Sequence, residues 1–324
     1  MKLRFWGTRG SIPVAITAPQ IRQKLLTAFT QAIGRTLDTE DAITRFVDQQ
    51  LGFDISGTFG GHSSCVEIAL ENDNEKPGSH IICDMGSGAR PLGQDMLARF
   101  GPATPQTYHV FMSHLHWDHI MGFPFFAPVY IPGNRIVIHG CHAELEHAFR
   151  RQQAEPSFPV TFDHLAATIE FDILTPGETC CIDDFTVTAK KQLHGGDSYG
   201  YRFEHRQKVV VYSTDSEHRL EQIAERDAFV DFFHNADAVV FDAMYSLADA
   251  ISVKADWGHS SNIVGVELCQ AACAKRLVMF HHEPAYNDAR IVQVLEETRR
   301  FEEITREDHR VEIISAWDGL ELDL

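Results

Sequence analysis

Short apolar runs that alternate with polar positions, or run unbroken for four or five residues, recur along the whole chain and predict strands. They fall at 3–6, 65–70, 80–83, 108–113, 135–139, 185–189, 199–203, 208–212, 238–241, 276–280 and 311–315. Apolar residues at helical spacing predict helices over 217–233, 260–274 and 287–306, with Ser260 and either Asn287 or Asp288 as N-caps. A second kind of segment lies near the start. Ile21, Leu25, Leu26, Phe29 and Ile33, then Ile43, Phe46, Val47 and Leu51, describe two amphipathic helices broken near Gly34 to Asp41. Strands and helices mixed over the full length predict one α/β domain spanning 1–324, with 19–51 as a helical insertion. That insertion has three available roles: a lid over a site, a dimer contact, or padding of the core.

Several polar residues sit where an apolar run stops. The run YHVFMS at 108–113 is followed at 114–119 by His-Leu-His-Trp-Asp-His, four potential metal ligands within six positions. His194 follows FTVTAKKQL, Asp215 follows KVVVYST and His281 follows RLVMF. A strand-to-loop junction holds a ligand rigidly and leaves coordination positions open, so the repeated placement predicts a metal site at one end of a sheet. Imidazole nitrogen with carboxylate oxygen suits Zn, Mn or Fe, whereas Ca and Mg prefer oxygen-only shells.

Composition narrows the partners. With 44 % hydrophobic and 23 % charged residues the chain has the makeup of a soluble globular protein, and no apolar run reaches membrane-spanning length. The start MKLRFWGTRGSIP lacks the apolar core of a signal peptide, so a cytoplasmic location is expected. Seven cysteines without a CxxC pair are expected to be buried thiols in a reducing compartment. A formal net charge of −18 disfavours a broad basic face for long nucleic acid and favours a small anionic substrate met by the cations themselves.

The chain resembles the metallo-β-lactamase superfamily. The resemblance rests on HLHWDH at 114–119, His194, STD at 213–215 and His281, with GTRGS at 7–11, DMGSGAR at 84–90 and GHSS at 258–261. The YGYRF segment after His194, and GHSS before the last ligand, are similar to the phosphodiesterase branch, which includes tRNA 3′-processing endonucleases and phosphoribosyl cyclic phosphodiesterases. The resemblance implies a four-layer αββα sandwich. It implies two divalent metal ions, one held by His114, His116 and His194, the other by Asp118, His119 and His281, with Asp215 bridging. It also implies that His259 acts near the leaving group as a general acid or transition-state stabiliser, and in metal-assisted hydrolysis Asp118 is the candidate to orient the attacking hydroxide.

The expectation is therefore a binuclear metal-dependent phosphodiesterase acting on a small linear or cyclic phosphodiester. Two alternatives stay open: a lactone, ester or thioester hydrolase on the same centre, and a metal-binding sensor without turnover. No membrane partner is expected, and a homodimer is left open. Lesser candidates are His282 and Glu283 as supports of the site, Arg9 and Arg90 as phosphate contacts, and Phe123, Phe125 and Phe126 as cleft residues. His62, which stands where relatives carry Asn in a GGNTSC-like segment, is a candidate substrate contact.

Overall fold

The computed structural model describes residues 1–70, 78–246 and 258–324. Its strands, numbered in chain order, are β1 Lys2–Gly7, β2 Cys65–Ala69, β3 Ser79–Cys83, β4 Thr107–Phe111, β5 Arg135–Gly140, β6 Thr168–Ile173, β7 Thr179–Ile182, β8 Phe185–Gln192, β9 Ser198–His205, β10 Lys208–Ser213, β11 Ala238–Asp242, β12 Arg276–Phe280, β13 Glu312–Ser315 and β14 Glu321–Asp323. They form two sheets, ordered β14-β1-β2-β3-β4-β5-β6 and β13-β12-β11-β10-β9-β8-β7. Each sheet is half parallel: β3 to β6 run together in the first, β10 to β13 in the second.

The two sheets share one apolar layer, and each has a second layer on its other face. In β10 to β12 the positions alternate: Val210, Tyr212, Val240, Val278 and Phe280 enter the layer shared with Leu3, Ile81 and Phe111 of the first sheet. Val211, Val239, Phe241, Leu277 and Met279 face the helices α7 Ile223–Phe233, α8 Asn262–Ala271 and α9 Asp288–Thr305. Ile82, Tyr108, Val110, Ile136 and Ile138 pack likewise against α4 Ala89–Phe100 and α6 Leu145–Gln152 on the outside of the first sheet. Strands wanted apolar on both faces read as unbroken runs such as RLVMF and AVVF. The result is helices, sheet, sheet, helices.

All the predicted strands are present, and three more were not foreseen: β6, β7 and β14. Each lies at the edge of a sheet. An edge strand half open to solvent carries too few apolar residues to announce itself. Helix α7 starts at Ile223, not at 217, because the backbone N–H of Glu217 donates to Leu193 O and that of His218 to Ser260 Oγ, which holds the segment in a non-helical path. Ser261, not Ser260, caps α8, its side chain accepting from Val264 N; Asn287 caps α9 as expected.

The 19–51 stretch holds α1 Ala18–Ala32 and α2 Glu40–Gln49, followed by the short α3 Phe53–Ser56. No residue of α1 is buried, and Phe29 and Ile33 are 71 % and 79 % exposed, so this helix does not pad the core. It is tethered by Lys24, whose Nζ lies 2.6 Å from Asp288 Oδ2. All seven cysteines are free, but Cys65, Cys83 and Cys269 alone are buried; alternation along β7 leaves Cys181 outside and Cys180 half-covered. No helix among the described residues is long and apolar enough to cross a membrane.

Candidate metal centre

Chain direction puts the polar strand ends together. Because β9 is antiparallel to both β8 and β10, strands β8, β10, β11 and β12 all point the same way, and their C-terminal ends lead into His194, Asp215, Asp242 and His281. In the facing sheet β3 leads into Asp84 and β4 into the 114–119 segment, whose α5 Trp117–Ile120 is a single helical turn. Crevices at the carboxyl ends of parallel strands are where open α/β sheets place their ligands.

The seven predicted ligands converge in two groups. His114, His116 and His194 form one, and Asp118, His119, Asp215 and His281 the other, with donor atoms inside each group no more than 4.8 Å apart. His116 Nδ1 lies 2.9 Å from His114 Nε2 and 3.2 Å from His194 Nε2. Around the second group, His119 Nε2 is 3.2 Å from Asp118 Oδ2, His281 Nε2 is 3.3 Å from the same oxygen, and the two imidazoles are 3.4 Å apart. Asp215 spans both. Its Oδ2 stands 3.6 Å from His114 Nε2 and 3.8 Å from His194 Nε2, while its Oδ1 is 3.3 Å from both His119 Nε2 and His281 Nε2.

These separations fit cation shells. Tetrahedral donors at ~2.0–2.1 Å from a metal stand roughly 3.3 Å from one another. Neutral imidazole nitrogens facing each other at that range cannot all hydrogen-bond to one another. The charge balance agrees. Burial would push His119 down, but Asp215, Asp118 and Asp84 around it raise its pKa well above the ordinary value, so the surroundings favour a positive charge. Burial works against ionisation of Asp118 and Asp215 too. The histidines beside each nevertheless hold both carboxyls well below the usual carboxylate range. His114, lowered by burial and then by the neighbouring His119, is kept neutral and able to coordinate.

The ligand rings are aimed from behind. His119 Nδ1–H donates to Asp84 Oδ2 at 2.7 Å, and Asp84 is itself fixed by Ser113 N, Ser113 Oγ and the hydroxyl of Tyr212. His194 Nδ1–H donates to Gly258 O at 2.7 Å. A Cβ on Gly258 would lie 2.6 Å from the His194 ring, and one on Gly10 would lie 2.6 Å from that of His281. The glycines of GHSS and GTRGS are thus required by the close approach of ligand imidazoles. Asp84, Asp215 and His281 take left-handed backbone with φ of 59°, 50° and 60°, a conformation non-glycine residues adopt at a cost of roughly 1–3 kcal/mol each and which clusters at functional sites.

His259 stands beside the two groups, its ring 5.1 Å from His194 and stacked 5.2 Å from His281. Its donor atom also falls within 4.8 Å of those of His194 and Asp215. Nδ1–H donates to Asp242 Oδ2 at 2.8 Å. Burial disfavours its charged form, yet Asp242, with Asp215 and Asp118 behind it, raises the pKa to about 9.

Asp84 and Asp242 were absent from the sequence candidates. Both carry the signature that found the others, a carboxylate where an apolar run ends, as in SHIIC-Asp84 and AVVF-Asp242. The lesser candidates resolve differently. Arg9 is buried and donates to the carbonyls of Gly60, Glu283 and Tyr286, which makes it a clamp between loops, not a phosphate contact. His282 Nε2–H donates to Ala316 O, and burial lowers its pKa to about 3. Glu283 Oε1 accepts from Ala285 N. His62 belongs to neither ligand group; its Nδ1 lies 3.1 Å from Ser87 Oγ. Phe123 and Phe126 are core, while Phe125 is exposed.

A fold of two back-to-back mixed sheets with a histidine and aspartate cluster at their common edge is that of a metallo-β-lactamase. The beta-lactamase superfamily domain matches residues 80–282, well over half of the chain, and the chain belongs to that family. Ribonuclease Z of Natronomonas pharaonis is 24 % identical over 294 residues, covering 71 % of this chain and 87 % of that protein. Ribonuclease Z of Oceanobacillus iheyensis is 22 % identical over 245 residues, covering 59 % and 76 %. Among solved structures, the metallo-beta-lactamase fold protein YhfI from Bacillus subtilis superposes with a TM-score of 0.61 at 17 % identity over 99 % of this chain and 98 % of its own. A diphosphatase from the PhnP family gives 0.58 at 18 % identity over 100 % and 97 %.

Proposed function

We propose that this chain is a binuclear metal-dependent hydrolase of small linear or cyclic phosphodiesters. His114, His116 and His194 would hold one divalent ion, Asp118, His119 and His281 the other, and Asp215 both. Zn or Mn suits the mixed nitrogen and oxygen donors best, with Fe the third option. The whole chain is taken as one domain of this kind, with 19–51 a helical insertion. The observation that carries the reading is the pair of donor groups joined by the two oxygens of Asp215.

Divalent cations held by these residues would supply a coordinated water of near-neutral pKa and Lewis-acid stabilisation of charge on the phosphate. The protein's own part is orientation and proton handling. Asp118, ionised and beside His119 and His281, accepts a hydrogen bond from the attacking water and fixes its lone pair. His259 donates its Nδ1 proton to Asp242, which favours the protonated ring, and in that form presents the proton of its second nitrogen to the departing alkoxide, which leaves as the alcohol.

A second reading is supported by the relatives named ribonuclease Z: an RNA phosphodiester as substrate. The −18 net charge weighs against it, since backbone contacts to a long RNA rest on clustered Lys and Arg. Metal analysis of the purified protein, joined to assays on bis(p-nitrophenyl) phosphate, cyclic nucleotides, a lactone and a 3′-extended RNA, tests the proposal. The expected result is two metal equivalents and diester turnover that a chelator abolishes. Lactone cleavage without diester cleavage would overturn it in favour of a carbonyl hydrolase, and a metal-loaded protein inert on every substrate would leave a sensor.

A further inference from the structure

Immediately beyond the ligand segment lies an open groove of about 560 Å³ that the chemistry above does not use. It is lined by Leu115 and Trp117, which alternate along the chain with His114, His116 and Asp118, and by Phe125, Arg151 and Phe158. Trp117 is 75 % exposed and Phe125 is 54 % exposed, although both sit in a part of the chain whose neighbours Ile120 and Phe123 are fully packed. Phe125 meets Phe158 edge-to-face at 5.6 Å, so its ring is braced and its outer face is open. Arg150 is paired with Glu146 and Asp163, whereas Arg151 enters no ion pair among the described residues. Gln152, also in the lining, has an amide Nε2 without a hydrogen-bond partner.

We infer that this groove binds the nucleobase of the substrate, so that the substrate class is a nucleotidyl phosphodiester; the inference rests on the phosphodiesterase reading of the adjoining centre. The volume is that of a small-molecule site. Exposed, braced aromatic faces stack on any base, and an unpaired guanidinium adds attraction for an anion held nearby. An acyl chain fits the same walls less well, because the groove is open and has polar groups that a hydrocarbon would leave unsatisfied. Leu115 and Trp117 are the immediate chain neighbours of His114, His116 and Asp118, which brings the groove up to the ligand segment.

The test compares three esters that share a leaving group: thymidine 5′-(p-nitrophenyl phosphate), methyl p-nitrophenyl phosphate and dodecyl p-nitrophenyl phosphate. Each is assayed with metal-loaded protein, and with its Trp117→Ala and Phe125→Ala variants. The ratio of kcat/KM for the thymidine ester to that for the methyl ester is expected to fall roughly 5- to 100-fold in both variants, the usual range for losing one stacking partner. An unchanged ratio overturns the inference, and a selective loss on the dodecyl ester replaces the base with an alkyl chain. Phe125 lies outside the ligand segment, so its variant carries the test if Trp117→Ala loses metal. Calorimetric titration with thymidine 5′-monophosphate reads the groove without turnover: binding that weakens in both variants supports it, and no binding to the parent protein refutes it. If none of the three esters is cleaved, the phosphodiesterase reading fails, and the titration still decides the groove.

Discussion

The Nδ1–H of His259 donates to Oδ2 of Asp242 at 2.8 Å, joining a loop residue to the last residue of β11. The bond settles which imidazole nitrogen is left to act, and the carboxylate favours the charged ring. Replacing His259 with Ala is expected to leave two metal equivalents in place and to lower kcat by ~10² to 10⁴, the range for loss of a general acid. Asp242→Asn keeps the size of the side chain and its acceptor oxygen while removing the charge, so its kcat should lie between that of the parent and that of His259→Ala. Metal content by emission spectroscopy and steady-state rates on a chromogenic diester check both. A His259→Ala protein with parental kcat would take this residue out of the chemistry.

Asp84 touches no substrate and acts through His119. Its Oδ2 accepts from His119 Nδ1, so Nε2 points toward Asp118 and Asp215. Carboxylates that orient a ligand imidazole are worth 10- to 100-fold in metal affinity. Asp84→Asn should weaken binding of the second ion by about that factor, read by competition with a chromophoric chelator. Because Asp84 also accepts from Tyr212 and Ser113, a measured melting temperature is needed to separate loss of the fold from loss of the metal.

How far the sequence disclosed this site follows from where its residues sit. Asp215 and His281 were found because each follows a strand whose last residues are buried on both faces, where an apolar run breaks at a polar group, and His194 because it follows the alternating strand β8. Asp84 and Asp242 end runs in the same way but accept hydrogen bonds from His119 and His259, and spacing alone does not separate these roles from those of the donors. The pairing of strands was not legible. Alternation shows that Val278 and Met279 face opposite ways, but not that Val278 meets the other sheet while Met279 meets the helices. The edge strands β6, β7 and β14 were missed for want of buried positions. The ends of α7 and α8 were misplaced because the backbone N–H groups of Glu217 and His218 bond to distant loops, an arrangement set by tertiary packing.

Asp215 offers one oxygen to each donor group. Asp215→Ala therefore removes a donor from both, and the expected result is a protein that retains at most one metal equivalent with diester activity at background. Equilibrium dialysis against the metal, before and after the substitution, measures the stoichiometry. Retention of two equivalents with unchanged affinity would refute the bridging assignment. Two separate, self-sufficient sites would then replace it.

His218 gives the fold a pH dependence apart from the chemistry. Its ring is stacked on Phe241 at 5.3 Å and meets the edge of Phe229 at 4.3 Å, and its Nε2 has no hydrogen-bond partner. Burial therefore lowers its pKa to about 3, against the partial opposition of Asp242. The sign follows from which state binds the proton. Between the unfolded value near 6.5 and the folded value near 3, the unfolded chain is protonated at this position and the native chain is not. Stability is thus complete above about pH 6.5 and falls as the pH drops through that window, by at most ~1.4 kcal/mol per pH unit from this one group. A His218→Phe protein lacks that proton, so its unfolding free energy in urea should decline less steeply between pH 6 and pH 4 by up to that slope. Identical slopes for the two proteins would show that His218 is accessible to protons in the native state.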